Sequence, residues 1–446
     1  MITAILFLII TFGGYIGALF RNPYWGLIVY ANIYFNAPDP KINWWASYLP
    51  DLRWSLITAA IMVISVIIHR NKISKHKYRT LKWMFAFYVL IEVEAYFFAI
   101  NPKEAEWLTR TFQTYCITAF LLVKSLATFE QLRLFLLVII ALAGSLSIKA
   151  YTEGKQIHGR LENIGPGDAF SSNEFGILLA SIIPLILPYL LKGKRYERII
   201  SIIALVFIMN AFILCNSRGA FVSLIFGIIY AFTLVANKKI RRYIVVAAIA
   251  IFPAFIYLAD ENFVNRISSL WLSDTQSEDA LNELSTGRVA IWMYGLEMAK
   301  DHPLGVGPEG FRELSRFYMP EESLTVHPGA AYGVRAAHNS YLQVLVEQGI
   351  LGLVVYMVIC FYTLFLLIRS AKQIKKAGIS GSFLDLLIVG LNISFAVSLM
   401  GGMFGSQVYY EFFWWQVVIS LVAYSITKQI IAEKAEKQTL EPKNRG

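Results

Sequence analysis

Charge is scarce in this sequence. Only 16% of its 446 residues are Asp, Glu, Lys or Arg, while 57% are hydrophobic. A soluble chain carries about a quarter charged residues, so an ordinary soluble globular protein is excluded. Cysteine is scarce too. The three present, Cys116, Cys215 and Cys360, each lie within an apolar run and show no ligand spacing. That excludes a zinc module and leaves no basis for a disulfide framework; they read as small residues facing lipid or core. There is no P-loop, zinc motif or dinucleotide fingerprint. "GVGPEG" at 305–310 follows no strand pattern and contains a proline, so it reads as a turn. Internal repeats are absent as well.

What is present is a succession of apolar runs long enough to cross a bilayer core of about 30 Å. They lie near 2–20, 24–36, 54–68, 81–100, 111–127, 132–150, 174–191, 199–215, 219–236, 243–259, 341–368, 384–403 and 408–430. Continuous apolar runs specify helices, since a membrane barrel alternates. The expected fold is an all-α polytopic membrane protein with about 12 transmembrane helices and one large periplasmic loop containing short helices. The run at 24–36 is short enough to be re-entrant or tilted. The first run lacks a basic segment before it and a small-residue cleavage site after it, so it reads as a retained span. The expected organisation is a first helical bundle over 1–259, a loop domain over 260–337, further spans over 338–430 and a cytoplasmic tail over 431–446.

Orientation follows from Lys and Arg in short loops. Residues 69–82, 192–198, 238–242 and 369–376 are all basic-rich, and alternating spans place all four on the cytoplasmic side. The net charge of +10 is therefore a topology signal. Split among short loops beside spans, it does not form a nucleic-acid surface. The opposite side receives a loop near 151–173, the junction "NSRG" at 216–219 and the acid-rich segment 260–338. Trp44, Trp45, Trp414 and Trp415 fall near predicted outer ends, as an aromatic belt would.

Candidate chemistry gathers on that outer side. Arg218 stands between two apolar spans joined by almost nothing; it either snorkels or points into a cavity that holds an anion. Gly219 beside it permits close approach of backbone or ligand. "STGRVAIWMYGLEMAKDHPLGVGPEGF", 285–311, reads as an amphipathic helix capped by Ser285 or Thr286, with Val289, Trp292, Met293, Leu296 and Ala299 on one apolar face. Arg288 then sits in the first turn, where a positive charge opposes the helix dipole unless an anion joins both. The outer loop 155–176 contributes His158 and Arg160, with Ser171 or Ser172 as the cap of the next span and Glu174 in its first turn. His302 and His327 each precede a proline and read as turn residues. His338 lies just before a helix start at Ser340, where Ser340-x-x-Gln343 fits a capping box. Asn339 beside it and Glu347, on the face of Ser340 and Gln343, complete the candidates. A carboxylate within a span usually lines a cavity.

Arginine holds phosphate with a planar fork and keeps its charge. Neighbouring positive charge keeps an imidazole neutral and able to take a proton. The assembled site suits a lipid whose phosphates lie at that depth. It also suits group transfer in which a base activates a hydroxyl and a pyrophosphate leaves.

"CNSRGAFVSLIFG", "TGRVAIWMYGLEMAKDHPLGVGPEGF" and "HNSYLQVLVEQGILG", in this order, resemble the O-antigen ligase and polymerase superfamily of bacterial inner-membrane glycosyltransferases, over roughly 163–356. "LFRNPYWGLIVYANIYFNAPDP", 19–40, resembles the exosortase-associated O-glycosylation ligases. The resemblance implies an undecaprenyl-pyrophosphate-linked glycan donor used at the periplasmic face, with no metal, nucleotide or other cofactor. It implies pyrophosphate contacts from Arg218 and Arg288, with Arg160 matching less firmly, and His338 as the base in an inverting transfer. Glu347 falls on the family's acidic position after the histidine.

The acceptor stays open among lipid A-core, protein and a growing lipid-linked polymer, so a repeat-unit polymerase is the nearest alternative. From a different class, a flippase for lipid-linked oligosaccharide also wants outer arginines, but it would show repeats and midplane polar groups. A scaffold without chemistry would use the charges as anchors only.

Overall fold

The computed structural model describes residues 2–74, 79–157, 160–234, 241–242, 288–320, 324 and 333–440. The expected span 243–259, His158, His327, the caps Ser285 and Thr286, and most of the acid-rich segment lie outside the described residues. The bundle begins with α1 (Ile2–Phe20), α2 (Tyr24–Phe35), a 3-10 turn (Trp44–Tyr48), α3 (Trp54–Ile68), α4 (Arg79–Phe97), α5 (Pro102–Ser125) and α6 (Phe129–Glu153). A short antiparallel hairpin, β1 (Lys155–Ile157) and β2 (Arg160–Glu162), pairs Ile157 with Arg160. Then come α7 (Ser172–Lys192), α8 (Arg195–Leu214) and α9 (Arg218–Leu234). Three short helices follow outside the bundle: α10 (Arg288–Asp301), α11 (Gly310–Tyr318) and α12 (Ser340–Glu347). The chain closes with α13 (Gly349–Lys376), α14 (Phe383–Gly401) and α15 (Glu411–Leu440).

The chain is a helical multi-pass membrane protein. Seven of the described helices, α1, α6, α7, α8, α13, α14 and α15, are long and apolar enough to cross a membrane. Two shorter apolar helices, α3 and α9, accompany them. The most enclosed is α14, packed between α7, α9, α13 and α15. Its fit to α7 is chemical as well as steric. Pro188 has no N–H, so the Pro184 carbonyl one turn earlier loses its helical donor. Gly390 lies against that carbonyl, where a Cβ would stand 2.9 Å from the oxygen. One turn along, Ser394 Oγ donates to the Ser181 carbonyl at 2.6 Å.

The bundle has two chemically different ends. α7, α9, α13 and α15 start at the end where α8 and α14 finish. At the other end lie the basic loops, tied by Lys434 Nζ to the Ala377 carbonyl at 2.7 Å and by Arg133, whose guanidinium holds Glu197 at 2.9 Å and 2.5 Å. His338, Arg218 and the hairpin lie at the first end, with α10–α12 above it.

Four expectations change. The run 341–368 is two helices, because Gly349 adopts φ +64° and breaks it. The turn after α10 fills the break. Val306 N and Gly307 N donate to the Glu347 carbonyl at 3.2 Å and 2.9 Å, and Ile350 N donates to the Pro303 carbonyl at 3.1 Å. A Cβ on Gly349 would meet the Leu304 carbonyl carbon at 2.5 Å. The cap of α12 is Asn339, whose side chain accepts from Tyr341 N and Leu342 N. Ser340 does not cap: its hydroxyl donates to the Gly405 carbonyl and accepts from Gln407 N, each at 2.8 Å. Trp414 and Trp415 are core residues, buried by Phe112, Tyr34 and Phe412, and form no belt. The buried face of α10 is Ile291, Gly295, Met298 and Ala299. Val289, Met293 and Leu296 point outward.

Candidate functional site

Each group in the cluster comes from a different element, and local chemistry fixes each one. Arg160 stands on β2 and donates to Asn173 Oδ1 at 2.8 Å. Ser217 Oγ donates to the same oxygen at 2.9 Å, so Asn173 joins the hairpin to the α8–α9 junction. Glu162 holds the start of α7 from outside, accepting from Ser172 N at 3.1 Å and Ser172 Oγ at 2.7 Å. Ser171 caps that helix. The α8–α9 junction turns through Asn216, in the left-handed region at φ +47°. Arg218 follows as the first residue of α9. Gly219 is a packing requirement: a Cβ there would lie 2.5 Å from Phe404 Cβ.

Arg288 opens α10, which lies on α11 and α12 through its buried face. Gly295 allows the contact, since a Cβ would meet Leu342 at 2.6 Å and Phe311 at 2.8 Å. Arg335 donates its backbone N–H to Ser315 Oγ at 2.8 Å, tying the segment before α12 to α11. Three residues later His338 sits at φ +46°, in the left-handed region. Such strain costs about 1–3 kcal/mol and persists where the surroundings impose it. Here the residue two positions on helps impose it: Ser340 N donates to the Gly402 carbonyl at 2.7 Å, in addition to the two hydroxyl bonds above.

These elements bring Arg160, Arg218 and Arg335 within electrostatic reach of Arg288, and Arg160, Arg288 and Arg335 within reach of His338. His338 falls to about 4, first because it is buried, then because of Arg288, Arg335 and Arg160. Its Nδ1 is enclosed without a hydrogen-bond partner. Arg288 is pushed below the usual guanidinium range by burial, then by Arg218, Arg160 and Arg335, with Glu174 acting in the opposite sense. That carboxylate sits in the first turn of α7, hydrogen-bonded to the Tyr410 side chain. Four guanidiniums thus face one carboxylate and one neutral imidazole. Such an arrangement suits a polyanion and a proton transfer beside it.

Asn339 and Glu347 stand apart from this cluster. The Asn339 carboxamide is occupied by its capping bonds. Glu347 is 1% exposed and accepts from Gln343 Nε2 at 3.1 Å and from the Tyr409 hydroxyl at 3.2 Å. Its main chain supports the turn that fills the helix break. Arg335, Asn173 and Tyr410 are members of the site, or direct supports of it, that sequence reasoning missed. Arg335 had one usable signal, its place three residues before His338. Among the described residues no group of three His, Cys, Asp or Glu could hold a metal ion.

A second buried polar centre lies beside the first. Asp168, in the loop before α7, accepts from the Tyr34 hydroxyl at 2.8 Å and from Glu411 N at 2.7 Å. Burial pushes its carboxyl up to about 6. Glu411 in turn accepts from Tyr30, Thr118 and Trp415. This centre locks α2, α5 and α15 beneath the outer loop.

Compared with known families, residues 203–357 match the family model described as O-Antigen ligase. The matched stretch contains Arg218, Arg288, Arg335, His338 and Glu347, while Arg160 precedes it. A search of curated proteins finds no match.

Proposed function

We propose that this chain, whose residues 203–357 match the family model described as O-Antigen ligase, is a glycan ligase of that superfamily. It moves an oligo- or polysaccharide from an undecaprenyl-pyrophosphate carrier to a hydroxyl acceptor at the periplasmic face of the bacterial inner membrane. In this reading the outer domain spans 260–337 and the membrane bundle 1–259 with 338–430. Family members act on glycans in membranes, as ligases or polymerases. The finer reading rests on one observation: arginines from three separate elements, Arg160, Arg288 and Arg335, act on a half-buried histidine and hold it below its ordinary range, and a fourth, Arg218, stands close enough to act on Arg288.

The chemistry follows from that arrangement. The arginine forks hold the diphosphate and keep the anomeric carbon beside His338. As the acceptor oxygen forms its bond to that carbon, its proton passes to a ring nitrogen of His338. The bond from the anomeric carbon to the phosphate oxygen breaks, and the electron pair leaves on the diphosphate. Attack opposite the leaving group inverts the centre. Fixed guanidiniums stabilise the charge that develops on the phosphate. The site also couples base strength to occupancy. A bound anion offsets the arginine field, so the imidazole becomes a better base when the donor is present. Asn339 and Glu347 serve by position, the first fixing the start of α12 below His338 and the second supporting the outer turn.

The acceptor distinguishes a ligase from a polymerase, and both use the same anion site and base. The grouping of the polar residues at one end of the bundle favours either over a flippase. The test is His338→Ala in cells, with membrane level verified. Loss of transferred glycan with accumulation of lipid-linked glycan supports the reading. Transfer at the wild-type level overturns it. The size of the product formed by purified protein then separates single transfer from chain growth.

A further inference from the structure

The outward face of α10 carries Val289, Met293 and Leu296, which are 59%, 61% and 48% exposed. They stand at i, i+4 and i+7, so they form one stripe along the helix. The opposite face is spent on the outer core of α11 and α12. Leu304, in the turn after α10, is 66% exposed. A stripe of this kind on a water-facing helix would be costly. Its place in the fold gives it a partner.

The turn that carries Leu304 is hydrogen-bonded to the first residues of α13, through Pro303 and Ile350. Leu304 therefore stands at the outer end of a membrane span. The exposed residues of that span, Ile350, Leu351 and Val354, continue directly below it. The apolar surface of α13 thus runs on into the turn and towards α10. Lys300 follows the stripe one turn on, and a lysine there can lay its stem on apolar surface and reach the lipid phosphates.

We infer that α10 lies in the outer membrane–water interface, with Val289, Met293 and Leu296 inserted at the boundary between headgroups and acyl chains. Helices of this type bury an apolar face roughly 5–10 Å into that boundary. Arg288, next to Val289, is then held at the depth of the lipid phosphates. The inference does not depend on the transferase reading, because it concerns where the helix lies and not what the site does.

The test uses the full chain in proteoliposomes. Cys215 and Cys360 are buried and can remain; half-buried Cys116 is replaced by Ala. A polarity-sensitive fluorophore is attached to Met293→Cys, to Leu296→Cys, to Val354→Cys as a lipid-facing reference and to Lys375→Cys as a water-facing reference. The expected result is emission blue-shifted from the Lys375 site. Quenching by aqueous iodide should be several-fold weaker than at Lys375. Quenching by lipids with a shallow nitroxide should exceed quenching by lipids with a deep one. Iodide quenching equal to that at Lys375 overturns the inference, because the face then looks into water. Protection from both iodide and nitroxide lipids also overturns it, because protein then covers the face. The two labelled positions on α10 guard against one variant failing to fold.

Discussion

Replacing Arg335 by Gln should move the acid side of the pH profile upward, by an amount the structure bounds. His338 has dropped by about 2.5 from its ordinary 6.5, to about 4. At 1.36 kcal/mol per pH unit this is a preference of roughly 3 kcal/mol for the neutral ring. Burial is the first cause, Arg288 the second and Arg335 the third. A contribution ranked third cannot exceed one third of the whole, so Arg335 supplies at most about 0.8 pH unit, or on the order of 1 kcal/mol. Removing a positive neighbour favours the imidazolium and raises the pKa. The base works uncharged, so activity is lost as pH falls through that pKa. The limb in kcat/KM reports the free enzyme. It should lie near pH 4 in the wild type and rise by no more than about 0.8 in Arg335→Gln. The limb in kcat reports the loaded enzyme and should lie above the kcat/KM limb in both, because the bound diphosphate offsets the arginines. The backbone bond from Arg335 to Ser315 survives the substitution, so the local fold is kept. The assay is initial-rate transfer from a synthetic lipid-linked donor across the acid range. A wild-type kcat/KM limb near 6.5 would falsify the placement of a working His338 in this arginine field. A shift well above 0.8 would show that Arg335 acts by holding the loop rather than by its charge.

Three further outcomes follow from other parts of the fold. Gly349→Ala should lower the thermal midpoint in detergent, because its left-handed φ and its contact with the Leu304 carbonyl both exclude a Cβ. A cost of about 1–2 kcal/mol comes from the backbone conformation alone, whereas Gly13→Ala, with open space around it, should leave the midpoint unchanged or higher. Asp168→Asn should destabilise by about 1–3 kcal/mol, because an amide cannot accept from both Tyr34 and Glu411 N. The folded-state pKa of Asp168 is raised to about 6 from 3.8. Its contribution therefore favours the fold below about pH 4 and declines as pH rises to 6, so the midpoint of the wild type relative to the variant should fall across that window. Inorganic pyrophosphate should raise the midpoint by relieving repulsion among the arginines, by about 2.7 kcal/mol at a hundredfold excess over Kd. Arg288→Gln should weaken that gain while His338→Ala keeps it; equal gains in all three chains would mean that the anion binds elsewhere.

The helices were readable because the bilayer demands long apolar runs, and seven of the described ones are long and apolar enough to span; their ends were less legible, since α5 begins at Pro102 against an expected 111 and α15 continues to Leu440 against an expected 430. His338, Arg218 and Arg288 were readable as local conflicts, charged or titratable groups at helix starts beside apolar spans. What stayed hidden depended on partners far along the chain. Ser340-x-x-Gln343 satisfies a capping pattern, yet the loop at 402–407 claims the hydroxyl and leaves the cap to Asn339. The break at Gly349 is silent in a continuous apolar run, and becomes necessary only when the turn at 303–307 inserts there. On α10 an apolar rhythm pointed to the bulky face, but the packed face is the one bearing Gly295 and Ala299, since the approach of Leu342 and Phe311 needs small residues. Apolar residues mark a buried face only where water is the alternative.

The same contacts explain why this histidine is set apart from the others. A left-handed His338 followed by a capping Asn339 and a doubly bonded Ser340 places the imidazole by backbone, not by side-chain hydrogen bonds, and its Nδ1 has no partner. A ring held that way is oriented by the backbone, which in the proposed reading leaves it free to act as the base. The arginines around it come from β2, α9, α10 and the segment before α12. No single helix supplies these arginines, and the cluster forms only when α10 to α12 are seated on the bundle. The turn at 303–307 makes that seating, through the break in the helix that His338 precedes. Base, anion site and outer segment therefore assemble as one unit, and a change that unseats the turn should cost activity before it costs the membrane bundle.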